Sequence, residues 1–320
     1  MTGTLGSRTW APRLATPGRI GALAALLAAL ALPAVLSPYP LGLVTQALIY
    51  ALLAMSIDIL AGFTGRTPLG HGAIFGTATY VVIYYATVAG GSPWIGLLLG
   101  VLAATALAAL FALLAIRTSG VYFLLLTLAL GMIVWGVCLR WTSVTGGENG
   151  LRGAVRPGWL EDRISFYYAV LAATALLTFA MWRFVRSPFG LTLRGIKDSE
   201  SRMRSLGYNV PLHLFIAFTV SGFFAGVAGA IYALFNNFVS PATVGLGQSV
   251  AGLLMAIIGG IGTLFGAFIG ALILIALENV VSTFTERWPT VLGLMFILIM
   301  ILAPDGILGK AQALAARRRP

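Results

Sequence analysis

Between Arg204 and Glu278 the chain runs for 73 residues without one Asp, Glu, Lys or Arg, and a second charge-free run of 50 residues separates Arg66 from Arg117. A membrane-spanning helix uses about 20 consecutive apolar residues, so each run holds more than one crossing. Over the whole sequence 59% of residues are hydrophobic and only 9% charged, where globular domains carry about a quarter. Such a chain cannot cover itself in water, and its solvent is lipid. The expected fold class is an all-α integral membrane protein, a polytopic bundle of about ten helices, some short or broken.

Breaks at polar, Gly and Pro residues place the apolar segments at 20–36, 41–61, 69–89, 93–116, 120–139, 165–185, 212–236, 249–260, 264–284 and 288–304. The segment 249–260 is too short to cross alone; it reads as a broken helix or as sharing a span with residues beyond Gly262. The 39 glycines suit helices packed backbone to backbone through small residues. Gly70, Gly72 and Gly76 in the first half echo Gly262, Gly266 and Gly270 in the second, and the latter are spaced by four along one helical face. Two readings stand, related halves as in repeat-built transporters and simple tight packing.

The formal charge of +11 does not indicate nucleic acid, because no soluble domain displays a basic face and the positive residues flank apolar runs. With the N-terminus cytoplasmic, fifteen of the 20 Lys and Arg residues fall inside and five outside, as the positive-inside rule expects. That topology gives a cytoplasmic segment 1–19, a transmembrane domain 20–304 with an external loop 140–164 and a cytoplasmic loop 186–210, and a basic cytoplasmic tail 305–320. Arg8, Arg13 and Arg19 before the first apolar stretch mimic a secretory signal, but nothing soluble follows, and a first span is the better reading. Trp94, Trp141, Trp159, Trp182 and Trp288 fall near span ends, as interfacial anchors do. The single cysteine, Cys138, excludes a disulfide framework or a multi-thiolate metal site within the chain.

The loop 186–210 is the longest polar stretch on the cytoplasmic side. Ser187 can cap a helix and Pro188 suits its first turn. Phe189, Leu193, Ile196, Met203 and Leu206 recur on one face, and Gly207 is a natural stop, while Gly190 and Gly195 weaken one continuous helix. Periodicity alone favours slightly a helix in the headgroup region, held by its basic face, over one seated on a cytosolic partner.

Six segments in order tip that balance: GFTGRTPLGHGAIFG at 62–76, RTSGVYFLLLTLALG at 117–131, TGGENGL at 145–151, RSPFGLTLRGIKDSE at 186–200, LGYNV at 206–210 and GGIGTLFGAFIGA at 259–271. From about Gln46 to Gly309 the chain resembles the LivM-type permeases of branched-chain amino-acid ABC importers. The resemblance implies a bacterial inner-membrane importer with a second homologous permease subunit, two cytosolic ATPase subunits and an extracytoplasmic solute-binding protein. It makes 186–210 the ATPase-coupling loop, with Ser187, Phe189, Arg194, Lys197, Asp198, Glu200, Leu206 and Gly207 as its expected residues, Arg194 and Lys197 contributing to ATPase association. One departure is that Glu200 is followed by Ser201, Arg202 and Met203 where family members commonly carry small residues, often alanines. The chain has no P-loop, since its Gly309–Lys310 pair is followed by alanine. No cofactor is expected in this chain, and ATP and magnesium belong to the partner ATPase subunits.

Gln46, His71, Thr127, Asn236, Asn237 and Gln248 are the sparse polar residues expected along a translocation pathway. For His71 and His213 a hydrogen bond to a freed backbone carbonyl is the plainer role. Asp58 is expected to partner Arg66 or a helix N-terminus, and Glu278, placed near the external end, to pair with Arg287. An ion-coupled secondary transporter, a membrane enzyme and a scaffold are the rivals. The first usually needs carboxylates deep in the membrane, the second convergent catalytic groups, and the third leaves the protruding loop unexplained. Branched-chain amino acids are the family's default cargo, with urea, amides and aromatic acids as alternatives.

Overall fold

The structure, a computed structural model, describes residues 27–153, 156–285, 287, 290–291, 293–294, 297, 301 and 306–310. The chain divides into two compact units, Met1–Leu41 and Gly42–Pro320. In the first unit residues 27–35 are helical. The expected segment 1–19 lies outside the described residues, as do most of 288–304 and all of the expected tail 305–320 except 306–310.

Among the described residues six helices are long and apolar enough to cross a membrane: α1 (Pro38–Phe63, whose residues from Gly42 belong to the second unit), α3 (Pro93–Ala115), α4 (Gly120–Arg140), α5 (Arg163–Val185), α8 (Val210–Asn236) and α10 (Gly266–Phe284). Between them stand α2 (His71–Thr87), α6 (Pro188–Asp198), α7 (Glu200–Ser205) and α9 (Leu246–Gly259). The protein is a multi-pass all-α membrane protein. Mean hydropathy alone does not say which helix is central. The most apolar, α3 at 2.6, presents Leu98, Leu102, Leu110 and Leu113 outward, whereas α1 at 1.9 is buried at every position from Ala51 to Leu60. A helix without an exposed face is an axis around which others pack.

Small residues set the packing distances. Gly222 and Gly226 of α8 abut Ala108 and Ala104 of α3, and Gly229 meets the backbone of Phe75 in α2. Lipid offers apolar side chains no reason to leave it, so such close backbone approaches drive association. Helix α9 does not share a span with residues beyond Gly262. The chain turns back over 260–265 and α10 packs along α9, Gly259 against Gly266 and Gly270 against the Met255 carbonyl. Gly262 therefore does not belong to the helical stripe that its spacing predicts; it lies in the turn with φ of +82°. Gly70 likewise precedes α2, and Gly72 and Gly76 face Ser249 and Val244.

At one end of the bundle the α4–α5 connection forms β1 (Leu151–Arg152), which pairs antiparallel with β2 (Phe238–Val239) in the connection after α8, Leu151 opposite Val239. Arg156 donates to the carbonyls of Leu234 (2.6 Å) and Phe235 (2.9 Å) and lies over the Phe166 ring, satisfying the last turn of α8. Exposed Trp94 and Trp159 stack at the same end, as an interfacial belt does.

A valine at Gly270 would overlap the Met255 carbonyl, whereas Gly136 has nothing within 4 Å of a built side chain. Gly270→Val is expected to lose about 1–3 kcal/mol through overpacking, read as a lowered thermal-dispersal midpoint in detergent, with Gly136→Val close to wild type.

A candidate coupling site strapped to the bundle

The segment after α5 folds as two helices rather than one. Ser187 Oγ accepts from the Gly190 amide to cap α6, and Ser199, in extended conformation, ends α6 and caps α7 by accepting from Arg202 N at 3.3 Å. The glycines are not the breaks. Gly190 lets α6 approach the Val185 backbone, and Gly195 lies against the Met203 sulfur. Phe189, Leu193, Ile196 and Met203 turn inward as their spacing predicts, but Leu206 does not: it is 66% exposed, just before Gly207 takes φ of +86° and closes the segment. Asp198 is exposed.

Much of the charge on α6 and α7 also points back to the bundle. Lys197 Nζ donates to the Gly62 carbonyl at 2.8 Å, and the Arg194 guanidinium lies over the Phe63 ring at 5.0 Å. Arg66, from the α1–α2 connection, donates to Glu200 at 3.1 Å and to the carbonyls of Ile116 and Thr118 at 2.9 and 2.5 Å. Glu200 also accepts from Arg204 at 2.6 Å. Burial pulls the Arg66 guanidinium below its ordinary value and Glu200 pushes it back. Arg194 and Lys197 thus serve internal contacts in this conformation, and beside exposed polar groups such as Asp198 and Arg202 the outward surface carries the apolar Leu191, Leu206 and Tyr208, exposed at 61%, 66% and 44%.

One turn deeper in α1, Asp58 does not pair with Arg66. Its Oδ1 accepts from Gly262 N at 2.6 Å and its Oδ2 from Leu264 N at 2.9 Å, the amides that lead into α10. Gly62 makes this possible, because a Cβ there would overlap both the carboxylate and the Gly262 backbone. Asp58 and Gly62, four positions apart on α1, therefore link the α9–α10 turn to Lys197 of α6.

The expected pathway residues separate into three groups. His71 and Thr127 are fully buried and lock helices together. Ser221 Oγ donates to the Ser56 carbonyl at 2.5 Å, so His71 Nε2 carries the proton donated to Ser221 at 2.7 Å, and His71 reaches a carbonyl only through that hydroxyl. Thr127 Oγ1 accepts from Leu69 N and Ser249 Oγ from Gly72 N, satisfying amides at the start of α2 from α4 and α9. Asn236 and Asn237 end α8, Asn236 donating to the Phe238 carbonyl and Asn237 adopting φ of +52°. Gln46 and Gln248 remain half-buried, and Gln248 Oε1 accepts from Tyr50 at 3.5 Å. His213 Nδ1 lies 2.8 Å from the Asn209 carbonyl. Glu278 forms no ion pair with Arg287 among the described residues. Nor, among them, do His, Cys, Asp and Glu gather in a group able to hold a metal ion.

Asp58→Ala would orphan two turn amides at roughly 1–3 kcal/mol each. Faster amide exchange confined to 260–265, with the α2–α3–α8 core unchanged, is the expected result.

Residues 39–304 match the family model described as branched-chain amino acid transport system, permease component. The chain is 29% identical to the high-affinity branched-chain amino acid transport system permease protein LivM of Escherichia coli K12, over 89% of this chain and 74% of that protein. It is 26% identical to LivH of the same organism over 84% and 94%. With the autoinducer 2 import system permease protein LsrC of Klebsiella pneumoniae it shares 31% identity over 58% and 54%. No solved structure matches. With the family model spanning nearly the whole bundle, from the start of α1 past the end of α10, the chain belongs to the family of permease components of branched-chain amino acid transport systems.

Proposed function

We propose that this chain is a permease subunit of an ATP-binding cassette importer for branched-chain or other hydrophobic amino acids, set in a bacterial inner membrane with both termini cytoplasmic. It has no ATPase of its own. Two cytosolic ATPase subunits bind ATP and magnesium, a second homologous permease completes the membrane domain, and an extracytoplasmic binding protein delivers the solute. The observation that supports this reading is the double character of α6–α7. Their inner face is strapped to α1 and to the α1–α2 connection, while their outer face leaves Leu191, Leu206 and Tyr208 uncovered. Exposed apolar groups beside a polar loop fit a partner's groove. Force applied there reaches Gly62 through Lys197 and the α9–α10 turn through Asp58.

Proteoliposomes holding the complete complex should accumulate leucine only with ATP. Uptake that follows an ion gradient and ignores ATP would remove the importer reading. Leu206→Asp with Tyr208→Asp should weaken co-purification of the ATPase roughly tenfold or more, the range of a lost interface anchor, with the thermal midpoint of the permease preserved. Arg194→Glu with Lys197→Glu should instead lower that midpoint, because both side chains serve the bundle.

A further inference from the structure

Three helices are pinned at the same end of the bundle, and counting outward from the pins brings polar residues to one level. Tyr50 stands twelve residues from Gly62 on α1, Gln248 eleven from Gly259 on α9, and Glu278 twelve from Gly266 on α10. At 1.5 Å per residue that is roughly 17 Å from the pins, well inside helices that can cross a bilayer core of some 30 Å. The α9–α10 register confirms the lateral match. Gly259 faces Gly266 and Met255 faces Gly270, so the antiparallel pairing continues to place Gln248 beside Leu277 and Glu278. Tyr232 of α8 joins them, its ring 5.8 Å from that of Tyr50, with buried Phe75 behind both rings at 5.2 and 6.0 Å. Glu278 lies within electrostatic reach of both tyrosines.

All four of these polar side chains are half-buried. Within membrane-spanning helices such a patch cannot face lipid, where an unpaired carboxylate is expensive, and it therefore faces water or another polar group. Among the described residues Glu278 has no hydrogen-bond or ion-pair partner, and Gln248 Nε2 is a buried donor without an acceptor. A spare carboxylate, a spare amide donor and two phenols over an aromatic wall complement a zwitterion with an apolar side chain. A basic residue of a second permease would engage the carboxylate and leave the amide donor unmatched.

We propose that Glu278, Gln248, Tyr50 and Tyr232 form an intramembrane contact site for the amino-acid cargo, Glu278 facing its ammonium group and the Gln248 amide its carboxylate. This rests on the transport reading above. In proteoliposomes of the complete complex, Glu278→Gln should reduce ATP-driven leucine uptake at least tenfold, with Glu278→Asp recovering part of it, while subunit assembly and ATP hydrolysis stay at wild-type levels. Unchanged uptake in Glu278→Gln overturns the site, and so does a loss accompanied by dissociation of the permease pair, which would make Glu278 an interface residue. A second measurement does not depend on leucine being the cargo. In a Cys138→Ala background, Glu278→Cys should react with a permanently charged trimethylammonium methanethiosulfonate reagent in the assembled complex, and a thiol that stays inert overturns the proposal even if the wild type transports leucine. Failure of wild-type leucine uptake with a reactive thiol would count against the transport reading and leave the water-lined site standing.

Discussion

The carboxylate of Asp58 organises one end of this bundle. A buried acid in a membrane protein needs donors, and here two backbone amides of a tight turn supply them, the same amides that have no partner in the helix they precede. Each side solves the other's desolvation, and the geometry closes only because Gly62 and Gly262 bring two main chains into contact. The carbonyl freed at Gly62 then accepts from Lys197, so the central helix, the α9–α10 hairpin and the segment outside the membrane share one small set of hydrogen bonds. Of the features described, this one ties α6 to a helix pair remote from it in sequence.

Much of the architecture was legible in the sequence because lipid imposes a simple rule. Long charge-free runs become spans, and the expected boundaries 93–116, 120–139 and 165–185 lie within a few residues of α3, α4 and α5. The hairpin at 260–265 was harder to see, since an apolar turn between two apolar helices leaves no polar punctuation, only glycines whose spacing also fits a helical face. The split of the segment 186–210 at Ser199 is hidden for a related reason. Gly190 and Gly195 read as breakers by residue type, but their lack of a side chain serves contact with Val185 and Met203.

Polar residues inside the bundle were visible as candidates, yet their roles were not. His71 and Thr127 have the rarity expected of pathway residues, but His71 Nε2 and Thr127 Oγ1 are engaged with Ser221, Leu69 and Leu124, and that depends on which neighbours the surrounding elements bring. Tyr50 and Tyr232 are not legible as site residues, because tyrosine in an apolar run reads as an aromatic packing residue. Gln46 one turn from Tyr50 on the same face was the available hint. Glu278 was seen, but its depth could be measured only after the hairpin fixed where α10 begins.

The two-stranded ladder at the opposite end has a mechanical corollary. Leu151 and Arg152 bridge the α4–α5 connection to Phe238 and Val239, and Arg156 grips the last carbonyls of α8 from the same connection. A body resting on either connection loads both, so the rim tilts as a single plate rather than as separate flaps.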